Sequence, residues 1–189
     1  MTDGDDGQSA LREEILSREP RFEGALIRVE RWRVRLPNGS PALREVVLHP
    51  GAAAVVAVDE RGLVTLVRQH RPAVGEVMLE IPAGKLDGPG EDPLACAQRE
   101  LEEETGLVAA NWRLLTTLCT TPGFCDERIA LYLATGLSQG EARPDDDEFL
   151  RVERMPLKEA VDRVLSGDLR DGKTALGLLM ASKLLGDTI

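Results

Sequence analysis

The sequence predicts an α/β fold in which a mixed β-sheet lies between helical layers, with an N-terminal β-hairpin extension. Two apolar, β-rich runs at residues 53–58 and 63–69 have the length of buried strands. Amphipathic helical segments follow at residues 93–105, 157–166 and 174–185. Strands mixed with helices along one chain are typical of a sheet covered by helices.

The composition indicates the size of the core, the expected binding partners and the cellular compartment. The chain has 189 residues, 42% of them hydrophobic, so it can bury a sizeable core without a structural metal. Its net charge of −10 argues against broad binding to nucleic acid or an anionic membrane, and neither is an expected partner. The three cysteines lack C-x-x-C spacing and predict free thiols. With no signal peptide or membrane-length apolar run in the sequence, the expected location is cytoplasmic.

Residues 1–50 are expected to form an arm that precedes the main domain of residues 51–189. After a polar tail, the predicted elements of the arm are a short helix at 9–18, a strand at 25–35, a turn at Asn38-Gly39 and a returning strand at 44–48. One hairpin and one short helix do not make an independent core. The arm therefore extends the sheet of its own chain or contributes to a dimer.

The main domain is expected to continue with short strands between its helices. The further predicted strands lie at residues 77–81, 112–117, 129–134 and 150–155. The sequence Asp59-Glu60-Arg61-Gly62 joins the first two strands as a hairpin, and residues 138–148 form a polar loop before the last strand.

The most informative stretch is GKLDGPGEDPLACAQRELEEETGL at residues 84–107, a loop followed by a helix. Asp92 is a natural N-cap, and Pro93 suits the first helical position because its missing N–H has no helical partner there. Gly106 ends the helix, since glycine tolerates the left-handed conformation of a C-terminal stop.

Three glutamates, Glu100, Glu103 and Glu104, are expected on one exposed stripe of this helix. Like charges at this spacing destabilise a helix by about 0.2–0.5 kcal/mol per pair, which indicates a compensating cation. Oxygen ligands without clustered His or Cys favour Mg²⁺, for which Mn²⁺ can substitute, over Zn²⁺. A solvated acidic face with an Arg99–Glu103 ion pair explains the stripe alone equally well.

The loop and helix together resemble the Nudix box, G-x5-E-x7-R-E-U-x-E-E-x-G-U, where U is a bulky aliphatic residue. The matching positions are Gly84, Glu91, Arg99, Glu100, Leu101, Glu103, Glu104, Gly106 and Leu107. The one departure is that six residues, not five, separate Gly84 from Glu91. An insertion in this loop leaves the helical residues in register. The resemblance implies a Nudix hydrolase with an α/β/α sandwich.

The flanks of the box resemble the ADP-ribose pyrophosphatase branch of this family. The similar features are Glu80-Ile81-Pro82-Ala83-Gly84 before the box, Pro122 sixteen residues after Gly106, and Arg68-Gln69-His70-Arg71. They imply metal-dependent hydrolysis of ADP-ribose, or a similar nucleoside diphosphate sugar, to AMP and ribose 5-phosphate. The alternatives are another nucleotide substrate (GDP-mannose, NADH or a dinucleoside polyphosphate) and a non-catalytic ADP-ribose-binding regulator. The arm resembles a segment that builds homodimers with shared active sites in that branch.

The resemblance also implies roles for individual residues. The implied metal ligands are the backbone carbonyl of Ala83 and the carboxylates of Glu100, Glu103 and Glu104, with Glu103 acting directly or through water. Arg99 would orient these glutamates, so that it and Glu103 belong to the catalytic set.

The related branch carries its general base, a glutamate, on a loop just before a late strand, so the resemblance implies Glu148 as the base here, with Asp147 and Glu153 as alternatives. The implied substrate contacts are Arg44, Arg71 and Glu127. A guanidinium suits both gripping of a diphosphate and stacking on adenine, although either arginine could equally be a surface residue.

Overall fold

The computed structural model describes residues 9–88, 90–140 and 149–186. Two compact units are distinguished. The first contains the chain up to His49 together with Thr121–Glu127, and the second contains Pro50–Thr120 and the chain from Arg128 onward.

The first unit is a three-stranded antiparallel sheet. Its strands are β1 (Glu14–Glu23), β2 (Arg28–Arg35) and β3 (Pro41–Leu48), in the spatial order β1-β2-β3. The predicted turn joins β2 to β3: Gly39 has a φ of +83°, and Asn38 Oδ1 accepts a hydrogen bond from the Ser40 N–H at 3.0 Å.

The predicted short helix at residues 9–18 is wrong. Only Ser9–Leu11 form a helical turn, of the 3-10 type, and β1 begins at Glu14. Pairing with β2 satisfies the backbone of this segment, and cross-strand contacts favour the strand. Arg35 pairs with Glu14 at 2.6 Å, and the Arg18 guanidinium lies 4.4 Å from the ring centroid of Trp32. These contacts are long-range, so a local pattern cannot reveal them.

The second unit is built on a seven-stranded mixed sheet. Its strands are β4 (Ala52–Val58), β5 (Leu63–Arg71), β6 (Glu76–Glu80), β7 (Ala83–Lys85), β8 (Leu107–Cys119), β9 (Arg128–Gln139) and β10 (Leu150–Pro156). The main order is β10-β5-β4-β9-β8, while β6 pairs with β5 and β7 pairs with β4. The β4–β9 pair is parallel and the other pairs are antiparallel.

Helices cover both faces of this sheet, as the sequence predicts. The three helices are α1 (Pro93–Thr105), α2 (Leu157–Ser166) and α3 (Gly172–Leu185). Because successive strand side chains point to opposite faces, Val55 of β4 packs in the cluster that includes Leu101 of α1. Val56 packs in the cluster that includes Leu178 of α3 and residues of α2. No helix of the described residues is long and apolar enough to cross a membrane.

In the second unit, one strand is absent from the prediction and two are several residues longer than predicted. The three-residue β7 was not predicted, because it is too short to show an alternating pattern. Strands β8 and β9 run well beyond residues 112–117 and 129–134, since they pair with each other from Leu107 to Cys119. Cross-strand pairing carries both strands past the short segments that predict them, and a local pattern does not contain that pairing.

We expect Gly177→Ala to lower the free energy of unfolding by about 1–3 kcal/mol, because a side chain there overpacks the contact between α3 and the sheet. A Cβ at Gly177 would lie 2.8 Å from Val56 Cγ2 and 3.4 Å from both Ile81 Cδ1 and Leu131 Cδ1. Val56 is buried and β-branched, so it has little freedom to move aside. The measurement is urea unfolding.

Gly172→Ala is the matched control on the same helix. A Cβ at Gly172 would meet nothing within 4 Å, so stability should stay unchanged or rise slightly. Equal stability of the two variants would contradict the close packing of α3.

Candidate active site

Helix α1 begins and ends where the sequence predicts. The Asp92 side chain accepts a hydrogen bond from the Leu94 N–H at 3.1 Å, and Pro93 is the first helical residue. Gly106 adopts a left-handed φ of 70° and donates to the Glu102 carbonyl at 2.7 Å. These caps fix which side chains of the helix face the sheet.

Two of the three glutamates are buried, which corrects the expectation of an exposed stripe. Glu100 and Glu104 are only 7% and 2% exposed. Strand β7 is the reason: the Ala83 N–H donates to Glu104 Oε2 at 3.2 Å. A Cβ on Gly84 would lie 1.9 Å from Glu100 Oε1, so the chain passes the Glu100 carboxylate only because residue 84 is glycine.

Arg99 contacts carboxylates of α1 and of the loop that precedes this helix. Its Nη1 donates to Glu100 at 2.7 Å and to Glu103 at 3.0 Å. Its Nη2 lies 3.4 Å from Asp87 and 3.5 Å from Glu91, so it also forms ion pairs with these two loop carboxylates. Burial alone would lower the pKa of Arg99, but the charge and hydrogen bond of Glu100 outweigh it and raise that pKa.

The Arg99–Glu103 ion pair fits the interpretation of a solvated acidic face, but the burial of Glu100 and Glu104 does not. Buried carboxylates are retained where they are paired or bind a cation. Arg99 provides one positive charge for a group of several carboxylates, so it offsets only part of their repulsion.

The donor chemistry of the site fits Mg²⁺ or Mn²⁺. Glu100 and Glu104 supply carboxylate oxygens beside the main chain of Ala83 and Gly84. Among the described residues, no group of three or more His, Cys, Asp or Glu side chains forms a ready metal cage. Mg²⁺ rarely needs such a cage of protein ligands. It keeps several waters and binds through one or two carboxylates plus substrate phosphates.

A second charged cluster lies just before β7. Arg71 binds the Glu80 carboxylate through both Nε and Nη2 at 2.8 Å, and Lys173 of α3 also contacts Glu80. Burial of Glu80 would raise its pKa, but the Arg71 hydrogen bond and the Lys173 charge outweigh that effect and lower the pKa to about 2. The pKa of Arg71 is raised, chiefly by its hydrogen bond to Glu80.

Two of the other predicted site residues, Arg44 and Glu127, lie in the first unit. Arg44 lies on β3 and donates from Nε to Glu13 at 3.1 Å, within the first unit. Glu127, in the same unit, lies 3.5 Å from His49 Nδ1. Glu148 and Asp147 fall outside the described residues, so their assignment as the base stays a prediction.

The remaining candidate base, Glu153, is held on β10 by a pair of hydrogen bonds. Arg68 donates to it from Nε at 2.7 Å and from Nη2 at 3.0 Å. The Arg68 hydrogen bonds lower the pKa of Glu153. A carboxylate with a lowered pKa is a weaker proton acceptor, which favours Glu148 or Asp147 as the base.

Residues 47–175 match the family model described as the NUDIX domain. An ADP-ribose pyrophosphatase of Bacillus subtilis (strain 168) is 42% identical over 89% of this chain and 92% of its own length. A methanol dehydrogenase activator of Bacillus methanolicus is 40% identical over 89% of this chain and 91% of its own. A solved structure described as an ADP compounds hydrolase matches with a TM-score of 0.80 and 25% identity, covering 93% of this chain and 95% of that chain.

We expect Gly84→Ala to raise the dissociation constant for Mn²⁺ by about tenfold or more, a loss of about 1.4 kcal/mol, because the new methyl group displaces the Glu100 carboxylate. Electron paramagnetic resonance of free Mn²⁺ measures this constant without substrate. Gly88→Ala is the control in the same loop, since a Cβ there meets nothing within 4 Å. Equal affinity in the two variants would contradict the close approach of β7 to Glu100.

We also expect Glu80→Gln to be less stable than wild type at neutral pH by about 3 kcal/mol, from the shift of the Glu80 pKa below its ordinary value. Because the folded pKa is lowered from 4.5 to about 2, this stabilisation is present above pH 4.5 and is lost as the pH falls toward 2. The difference between the two proteins should therefore shrink on acidification.

Denaturant unfolding between pH 7 and pH 2 checks this pH dependence. Glu76→Gln is the control, since Glu76 is half-exposed in its pair with Arg170 and its loss should matter little. A wild-type-to-Glu80→Gln difference that stays constant over the whole pH range would refute the buried charge cluster.

Proposed function

The chain belongs to the Nudix family, and from this premise we propose that it hydrolyses the pyrophosphate bond of ADP-ribose, or of a similar nucleoside diphosphate sugar, to AMP and ribose 5-phosphate. One observation carries the proposal: the helix of the Nudix box keeps Glu100 and Glu104 buried against Ala83 and Gly84. The choice of substrate is supported by the similarity to an ADP-ribose pyrophosphatase over 89% of the chain.

The proposed metal ligands are the carboxylates of Glu100 and Glu104 and the Ala83 carbonyl, with Glu103 direct or through water. When bound there, Mg²⁺ or Mn²⁺ supplies positive charge to the phosphate oxygens and lowers the pKa of a bound water. Arg99 holds Glu100 and Glu103 by hydrogen bonds and so keeps their carboxylate oxygens oriented. The Ala83 N–H does the same for Glu104.

Arg71 is proposed to bind a substrate oxygen. Its Nε and Nη2 are committed to Glu80, which fixes the plane of the guanidinium, and the side chain keeps 39% of its surface exposed. A guanidinium held in this way loses less rotational freedom when it binds an anion. Arg44 and Glu127 are the other proposed substrate contacts.

Glu148 is the proposed general base, because carboxylates that share a cation are poor proton acceptors. Its place just before β10 is the position where the related branch carries a glutamate on a loop. In this role its carboxylate would take a proton from the attacking water.

We further propose a homodimer in the cytoplasm. The first unit carries exposed large apolar side chains, which soluble proteins commonly bury in an interface. These side chains are Ile15, Leu16, Phe22, Leu26 and Leu43. The cysteines that the structure describes, Cys96, Cys119 and Cys125, are all free thiols, which suits a reducing compartment.

The test is product analysis by ion-exchange chromatography on a panel of ADP-ribose, GDP-mannose, NADH and a dinucleoside polyphosphate. We expect ADP-ribose to be the fastest substrate, giving AMP and ribose 5-phosphate only when Mg²⁺ or Mn²⁺ is present. Faster turnover of another nucleotide would change the substrate. Binding of ADP-ribose without release of AMP would indicate a regulator instead of an enzyme.

Glu104→Gln should lower kcat by at least about a hundredfold, because the substitution deletes the charge of a metal ligand. The amide oxygen can still accept from the Ala83 N–H, so the fold should persist. Glu102→Gln, an exposed residue of the same helix, is the control and should retain activity. Near-wild-type turnover of Glu104→Gln at saturating Mg²⁺ would refute the ligand assignment.

A further inference from the structure

The first turn of α3 contacts the chain that leads into β7. Thr174 is fully buried, and its hydroxyl accepts a hydrogen bond from the Ile81 N–H at 3.0 Å. The same hydroxyl donates to Asp171 Oδ2 at 2.5 Å. Asp171 is the N-cap of α3 and also accepts from the Thr174 N–H at 3.0 Å. The Thr174 side chain is therefore fixed on both sides, with a defined donor and a defined acceptor.

Backbone groups of the three residues Ile81, Pro82 and Ala83 form hydrogen bonds with several different elements. The Ile81 N–H binds Thr174, the Pro82 carbonyl accepts from the Val55 N–H at 2.9 Å, and the Ala83 N–H binds Glu104. Proline has no N–H of its own. Both backbone N–H groups of this three-residue segment thus have a partner, and the two partners are side chains of α3 and α1.

Lys173 adds a charged contact beside the hydroxyl. Its ammonium group binds Glu80 and, at 3.0 Å, Asp171, and its side chain is only 11% exposed. Glu80 in turn holds Arg71. Residues 80 and 81 are therefore both anchored to the start of α3, more than ninety residues further along the chain.

We propose that Thr174 is a positioning residue of the active site: by holding the main chain of Ile81, it holds the Ala83 main chain, whose N–H donates to Glu104. The inference rests on the proposed function in one respect, that Ala83 and Glu104 are metal ligands. Its physical basis is the cost of a buried, unsatisfied N–H: without the hydroxyl, the Ile81 amide must move or admit water. A shift there passes directly to Ala83, two residues away.

The experiment compares Thr174→Val, which keeps the shape but removes the hydroxyl, with Thr174→Ser, which keeps the hydroxyl. The first readout is the dissociation constant for Mn²⁺ in the absence of substrate. The second is hydrogen exchange of the Ile81 and Ala83 amides. Val64→Ala, which opens a small cavity in the same core at the far end of β5 from Arg71, controls for lost stability.

We expect Thr174→Val to raise the Mn²⁺ dissociation constant about fivefold or more and to speed exchange of the Ile81 amide, with Thr174→Ser close to wild type. Val64→Ala should stay within about twofold of wild-type Mn²⁺ affinity despite a lower melting temperature. Thr174→Ala replaces the valine variant if the latter fails to fold. Equal Mn²⁺ affinity in Thr174→Val and Val64→Ala would overturn the proposal.

The readouts separate this inference from the proposed function. If wild type binds Mn²⁺ and hydrolyses ADP-ribose but the hydroxyl does not affect Mn²⁺ affinity, the positioning role falls and the function stands. If wild type hydrolyses no nucleotide sugar, the function falls, while the Mn²⁺ affinities of the Thr174 variants still decide the positioning role. If the wild-type protein does not bind Mn²⁺, both the positioning role and the proposed metal-dependent function are overturned.

Discussion

The candidate active site depends on two carboxylates that are buried one turn apart on one helix. Removing an ionised carboxylate from water costs several kcal/mol unless it is paired or hydrogen-bonded. The cost is offset here in three ways: Arg99 binds Glu100, the Ala83 amide binds Glu104, and Gly84 leaves room for the Glu100 carboxylate. The contact of the short strand β7 with Glu104 and the glycine at residue 84 both meet this one requirement.

The segment that covers these carboxylates is held by both helical layers. On one face of the sheet, α1 supplies Glu104 to the Ala83 amide, and on the other face α3 supplies Thr174 to the Ile81 amide. Glu80, the last residue of β6, lies directly before this segment and accepts hydrogen bonds from Arg71, the last residue of β5. Positions where opposing elements fix a short irregular stretch are well suited to catalysis, because the reacting groups are already in place before substrate binds.

The sequence predicts this structure where the determining interactions are local. Asp92 and Gly106 cap α1 through their own backbone neighbours, so both ends of that helix can be read from the residues beside them. Prediction from the sequence fails where the interaction partner is far away along the chain. The burial of Glu104 depends on β7, the anchor at Thr174 is 93 residues from Ile81, and β1 is a strand because of its pairing with β2. Helical periodicity places side chains on a face, but it does not say what will cover that face.

The most direct test of this account is a crystal structure with Mn²⁺ and a non-hydrolysable ADP-ribose analogue, using the anomalous signal to locate the metal. We expect metal bound by the carboxylates of Glu100 and Glu104 and by the Ala83 carbonyl, with the diphosphate of the analogue on the same ions. Anomalous peaks confined to other acidic residues, or a diphosphate bound away from these carboxylates, would contradict it.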